Sequence, residues 1–305
     1  MSNLKTSICG VEFKNPVITS SGTFGFGTEY NRYYDVSKLG GICLKGLTLK
    51  ARQGNPPKRI AETPMGILNS VGLQNPGVET FCKNMLPFIR KFDTNLIANI
   101  SGNTIEEYCE MVEILSDSSI DMIEMNISCP NVKKGGLNFG TDPKMVEEIT
   151  SEVKKHCKKP LIVKLTPNVT DITEIAKSAE SGGADALSLI NTLLGMKIDI
   201  NTRRPVLYNN MGGLSGPCIK PVAVRMVWQV RNACKLPIIG MGGISNWEDA
   251  VEFMMAGADI VSVGTANFID PFAPLNIVSG LEEYVKKNNL ESISEIVGTV
   301  IPNGK

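Results

Sequence analysis

Eight short apolar runs, each followed by a longer stretch of mixed polarity, set the rhythm of the chain. They are VITSS (17–21), GICLKGLT (41–48), LIANISG (96–102), MIEMNIS (122–128), LIVKLT (161–166), ALSLIN (186–191), PIIGMGG (237–243) and IVSVGT (260–265). Each is rich in Ile, Val and Leu with little polar interruption, the pattern of a parallel strand buried on both faces. Between them lie helical patterns. Thr104 to Leu115 opens on a Thr cap with Glu107 three residues on, which predicts a capping box. Asp142 to Lys155 carries Pro143 in its first turn. Further helices are expected over 171–179, 217–234, 247–256 and 275–288.

Eight strands alternating with helices predict an α/β fold, a (β/α)8 barrel. A doubly wound sheet would more often carry a glycine-rich dinucleotide fingerprint after its first strand, and none is there. Ahead of the first strand, TSICG-VEFKN reads as an N-terminal β-hairpin able to plug the barrel bottom. Two connections exceed ordinary barrel loops, 49–95 after strand two and 192–236 after strand six. Long loops in a compact domain are usually functional or disordered. Met65, Ile67, Leu68, Val71 and Leu73 call for burial, so the first is read as an ordered insertion. The 305 residues are then one domain, 1–305.

Composition removes several function classes. Lys and Arg total 31, as do Asp and Glu, so bulk charge does not draw the chain to nucleic acid or an anionic membrane. No apolar run approaches the roughly 18 residues of a membrane span. Met1-Ser2-Asn3-Leu4-Lys5 lacks a secretory leader's apolar core, so a cytoplasmic protein is expected. The one histidine, His156, excludes a multi-histidine metal site. It lies at a predicted helix end before strand five, at the barrel bottom and away from the chemistry. The eight cysteines, at 9, 43, 82, 109, 129, 157, 218 and 234, form no Cys-x-x-Cys pair, which argues against a zinc ribbon or an iron–sulfur cluster within the chain.

Polar residues at the strand C-termini carry the chemistry: Ser20, Ser21, Lys45, Asn99, Asn126, Lys164, Asn191 and Thr192. These ends form the catalytic face of a barrel, and a lysine or asparagine in a buried strand needs a partner or a ligand. Gly242, Gly243, Gly264 and Thr265 close strands seven and eight, where barrels commonly bind phosphate. GGLSGP (212–217) is a further candidate phosphate-facing turn. Cys129, directly after strand four between Asn126 and Asn131, is the candidate nucleophile or base, with KKGGLNFG downstream as a lid. A free thiol has a pKa of about 8.5, so a cysteine base works better on the alkaline side. These residues alone also permit a phosphate-binding lyase or isomerase with Lys45 or Lys164 as a Schiff-base lysine.

Taken together, SSGTFGFGTEY, KGLT, GNPPKRIAETPMGILNSVGLQNPG, NISCPNVKKGG, VKLTPNVTD, INTLLGMKID, GGLSGPCIKPVAVRMV, IIGMGGI and VGTANF resemble the dihydroorotate dehydrogenases, most of all the class 1B catalytic subunits. The match runs in order from about residue 4 to residue 290. The resemblance implies an FMN-containing barrel that oxidises dihydroorotate to orotate in pyrimidine (UMP) synthesis. It implies Cys129 as the base taking the C5 proton, with hydride passing from C6 to flavin N5. It implies a substrate site of Lys45, Asn69, Ser70, Val71, Gly72, Leu73, Asn126, Asn131, Asn191 and Thr192. It implies an FMN site of Ser21, Lys45, Gly46, Asn99, Asn126, Lys164, Ile190, Gly216, Gly242, Gly243, Gly264 and Thr265. Class 1B further implies NAD as acceptor, reached through a partner subunit with FAD and a [2Fe–2S] cluster, in a heterotetramer of two catalytic and two electron-transfer chains. Class 1A, a fumarate-dependent homodimer, is the alternative within the family.

Overall fold

The structure is a computed structural model describing residues 4–128 and 139–304. The chain opens with an antiparallel hairpin, β1 (Thr6–Ile8) and β2 (Val11–Phe13). Next come β3 (Val17–Thr19) and β4 (Gly41–Cys43). The first long connection holds β5 (Ile60–Thr63), β6 (Gly66–Asn69), α1 (Val78–Asn84) and α2 (Leu86–Ile89). The alternating core follows: β7 (Asn95–Ile100), α3 (Ile105–Ser116), β8 (Met122–Asn126), α4 (Pro143–His156), β9 (Leu161–Lys164), α5 (Ile172–Ser181) and β10 (Ala186–Leu189). The second long connection contributes β11 (Leu193–Met196), β12 (Ile198–Asp199), β13 (Arg204–Pro205) and β14 (Met211–Ser215). Then come α6 (Lys220–Ala233), β15 (Ile238–Met241), α7 (Trp247–Ala256), β16 (Ile260–Val263), α8 (Ala266–Ile269) and α9 (Ala273–Lys287).

Strands β3, β4, β7, β8, β9, β10, β15 and β16 close into a parallel barrel, each beside its sequence neighbour and β16 beside β3. All eight apolar runs of the sequence are these strands. The hairpin packs as expected: Ile8 and Phe13 join Ile18, Ile97, Met122, Ile162, Ile239 and Ile260 in one buried cluster inside the barrel. The helices cover the outside, as the buried stripe Val146, Ile149 and Val153 of α4 illustrates.

Asp142 and Asn246 cap α4 and α7 by accepting the N–H groups of Met145 and Asp249. These caps satisfy donors that the helix itself leaves open. The capping box predicted for α3 is half formed. Thr104 accepts the Glu107 N–H, but the Glu107 carboxylate reaches back to the N–H of Asn103, one residue earlier than expected. The helix expected over 217–234 begins as a short 3-10 turn at Pro217–Ile219 before α6. Among the described residues no helix is long and apolar enough to cross a membrane.

The two long connections are joined. β5, β6, β14 and β11 form one four-stranded antiparallel sheet in the order β11-β14-β6-β5. Leu68 pairs with Ala61 on one side and Leu214 on the other, and packs with Ala61 and Leu207 in a small core of its own. Of the five residues expected to need burial, Leu68 is buried here, in a core separate from the barrel's own; Ile67, Val71 and Leu73 are half-buried, and Met65, at the tip between β5 and β6, is exposed. GGLS, expected as a turn, is largely the strand β14; only Gly216 and Pro217 turn.

Candidate active site

Side chains alternate across a strand, and moving two residues up most of the barrel strands changes the interior from apolar to polar; β15 is an exception, with Met241 above Ile239. Above Ile18, Ile97, Met122, Ile162, Ala186 and Ile260 stand Ser20, Asn99, Glu124, Lys164, Ser188 and Ser262, all buried. Glu124 is the centre of this layer and is only 2% exposed. Its Oε1 accepts from Asn99 Nδ2 at 2.6 Å, Cys43 Sγ at 3.2 Å and Lys164 Nζ at 3.3 Å; its Oε2 accepts from Ser188 Oγ at 2.8 Å. Burial alone would raise the Glu124 carboxyl pKa, but the Lys164 ammonium and the Ser188, Asn99 and Cys43 donors outweigh it and hold the pKa below its ordinary value. The same burial and the neighbouring carboxylate push the Cys43 thiol well up. Glu124 was not singled out by sequence reading, although a charged residue inside MIEMNIS is as unusual there as the asparagines and lysines that were.

Lys45 stands near the mouth, half-buried; its N–H donates to Gly25 O at 2.9 Å, but its ammonium has no hydrogen bond or ion pair among the described residues. Burial, and then the nearby Arg59 guanidinium, lowers its pKa. A Cβ on Gly22 would lie 3.8 Å from its Nζ. Gly46 leaves room beside it, since a Cβ there would meet Asn99 Oδ1 at 2.7 Å and approach Leu73 and Ser21 at 3.6 and 3.7 Å. Ser21, Lys45, Gly46, Asn99 and Leu73 therefore surround one space.

The segment 69–73 forms a wall of that space, held from behind. Asn55 Nδ2 donates to Ser70 O at 2.9 Å, the Asn55 N–H to Val71 O at 2.9 Å, and Asn75 Nδ2 to Leu73 O at 2.6 Å. Gly72 and Leu73 both have positive φ, 77° and 54°. Their N–H groups, and that of Val71, have no partner among the described residues. Successive backbone amides in such conformations make an anion-binding concavity. Leu73 accepts left-handed backbone that disfavours any side chain.

The carboxamides also meet. Asn191 Nδ2 donates to Asn126 Oδ1 at 3.1 Å, and Asn191 Oδ1 accepts the Thr192 N–H at 2.8 Å. Asn69 Nδ2 donates to Gly213 O at 3.3 Å, and a Cβ on Gly213 would fall 2.1 Å from Thr192 Oγ1, so Asn69 and Thr192 are linked through β14. Asn168, not anticipated from sequence, binds Thr192 O and the Leu194 N–H and fixes where β11 leaves the barrel.

Beyond β15, Gly242, Gly243 and Gly216 converge. A Cβ on Gly243 would lie 2.8 Å from Gly216 O and 3.0 Å from Lys220 N, and one on Gly242 would lie 3.2 Å from the Ile190 side chain. Gly243 also has φ +88°, so this turn requires glycine. Gly264 and Thr265 follow β16, and Thr265 Oγ1 is 2.8 Å from Ser215 Oγ. The N–H groups of Gly243, Gly264 and Thr265 have no partner among the described residues. Free amides on two adjacent turns fit a phosphate.

Cys129, Asn131 and most of the expected lid fall outside the described residues. The other predicted site residues all lie at the mouth just described, at or beyond the strand C-termini. His156 ends α4 and pairs with Glu113 (2.6 Å) and Glu152 (3.6 Å) on the surface.

A family model described as dihydroorotate dehydrogenase matches residues 3–285. A curated relative from Alkaliphilus oremlandii is 60% identical over 97% of this chain and 98% of its own length. One from Lachnoclostridium phytofermentans is 58% identical over 98% of this chain and 99% of its own, and one from Petrotoga mobilis 54% over 98% and 100%. All three relatives are named dihydroorotate dehydrogenase B (NAD(+)), catalytic subunit. With the barrel, its polar inner layer and a match across nearly the whole length, the chain belongs to the dihydroorotate dehydrogenase family.

Proposed function

We propose that this chain is the catalytic subunit of an NAD-linked dihydroorotate dehydrogenase, oxidising dihydroorotate to orotate in pyrimidine synthesis with FMN at the barrel mouth. The observation that carries the reading is Lys45, a half-buried ammonium that among the described residues has no counter-charge, facing a space walled by the amides of residues 71–73, which are likewise without a partner among them. A desolvated cation beside free N–H groups calls for an anion, and the substrate carboxylate supplies it. Asn69, Asn126 and Asn191 match the alternating C=O and N–H groups of a pyrimidinedione without adding charge. Thr192 and Asn131 complete that set.

The residues present also fit FMN. Gly242, Gly243, Gly264 and Thr265 would hold the phosphate. Ser21, Gly46, Asn99, Lys164, Ile190 and Gly216 would line the ring system. When bound, FMN supplies the acceptor for the hydride leaving C6 of dihydroorotate. Cys129 takes the C5 proton, and Lys45 keeps the carboxylate in place while it does so. A partner subunit carrying FAD and a [2Fe–2S] cluster would supply the route to NAD, in the two-plus-two assembly expected of class 1B; the names of the relatives support the partner and the acceptor.

An absorbance spectrum of the purified chain tests the reading. Visible flavin bands that bleach on adding dihydroorotate are expected. A colourless protein that also fails to take up added FMN would refute it. Rapid turnover of fumarate by the chain alone would overturn the NAD-linked assignment.

A further inference from the structure

Four hydrogen bonds converge on Glu124, yet two of their donors retain capacity that the protein does not use. Lys164 Nζ has three N–H groups and among the described residues gives only one, to Glu124 Oε1. Asn99 commits its Nδ2 to the same oxygen, which turns its Oδ1 toward Gly46 and the mouth, where it accepts nothing among the described residues. A carboxylate accepts only, so Glu124 fixes the orientation of both: Lys164 offers a donor and Asn99 an acceptor. It also sets a full negative charge against the Lys164 ammonium, in a place where neither side chain is more than 7% exposed.

We propose that Glu124 is a positioning and charge-balancing residue for the flavin. By neutralising Lys164 it prevents that ammonium from over-stabilising the reduced, more negative flavin, and so keeps the midpoint potential low enough for electrons to pass on. The inference rests on the reading that FMN occupies the mouth of the barrel.

Glu124→Gln isolates the charge. Gln keeps an oxygen for Asn99, Lys164 and Cys43, and its NH2 takes the place of Oε2, where the Ser188 hydroxyl can rotate from donor to acceptor. Potentials are measured by redox titration of the FMN-loaded chain against dyes, without substrate. Glu124→Gln should raise the potential by at least tenfold in the equilibrium constant, about 30 mV for a two-electron couple. Glu124→Asp, which retains the charge, should restore most of the wild-type value. A purely structural Glu124 would lower the melting temperature and leave the potential in place; an unchanged or lowered potential in flavin-loaded Glu124→Gln overturns the inference. If Glu124→Gln does not fold, Glu124→Gln/Lys164→Met removes both charges together, an exchange proteins often tolerate. Its potential should stay within about threefold of wild type on the same scale. A fall of tenfold or more means that Lys164 acts uncompensated, and likewise overturns the inference. A wild-type chain that holds no flavin defeats the functional reading itself, which separates the two failures.

Discussion

Replacing Lys164 with alanine should destabilise the apoprotein far more than loss of a surface lysine. The change leaves Glu124 ionised, 2% exposed and without its counter-ion. Removing one member of a buried pair costs about 3–5 kcal/mol. Asn99, Cys43 and Ser188 continue to donate to the carboxylate, which places the loss near the lower end, about 3 kcal/mol. For a chain somewhat larger than 250 residues, at roughly 2–4 °C per kcal/mol, the melting midpoint should fall by about 6–12 °C. The pH dependence identifies the cause. In the wild type the folded Glu124 pKa is depressed, so its stabilisation is present above the unfolded value, about 4.3, and is lost as pH falls through the folded pKa. In Lys164→Ala burial faces less opposition and the carboxyl pKa rises. The gap between variant and wild type should therefore be widest near neutrality and should close as acid protonates Glu124. Differential scanning calorimetry of FMN-free protein from neutral pH down into the carboxyl range reads this directly. An unaltered midpoint, or a gap independent of pH, would refute the account of the buried layer.

Cys129→Ala should retain FMN but be reduced very slowly by dihydroorotate in stopped flow; near-normal reduction at neutral pH would remove Cys129 as the base. Lys45→Ala should weaken orotate binding by about 10–100-fold, the worth of a charged hydrogen bond of about 1.5–3 kcal/mol, read from flavin spectral shifts. Because burial and Arg59 lower the Lys45 pKa, wild-type orotate affinity should begin to fall at a pH below the ordinary lysine value, about 10.4. That alkaline limb should be missing in Lys45→Ala. Asn55→Ala removes the side-chain bond to Ser70 O; at about 1 kcal/mol it should raise KM several-fold with kcat little changed, and a fall in kcat alone would count against a wall role.

The barrel was legible because parallel strands buried on both faces read as unbroken apolar runs, and all eight runs became strands. Lysines and asparagines at the strand ends stood out against that background, and they do gather at one mouth. What sequence did not reveal was non-local. Nothing near residue 68 announces that it will pair with residue 214, so the joining of two insertions into one sheet was missed. Glu124 was passed over because it sits inside a run rather than at its end, and its partners are supplied by four other strands. The short α1 and α2 carry few residues each, too few for a period to show.

That shared sheet has a mechanical consequence. β6 runs into the wall at 69–73, while β11 carries on from Asn191 and Thr192 and pairs with β14, and the pairs Asn69↔Gly213 and Leu68↔Leu214 rivet the two insertions together. A slip of one residue in this register would turn Asn69 away from the mouth and expose Leu68. For the same reason neither wall can swing outward alone: a displacement of one drags the other through the ladder. Widening the mouth on this side is thus a single concerted movement, and the spacing between the amides of residues 71–73 and the carboxamides holds whether the mouth is wide or narrow.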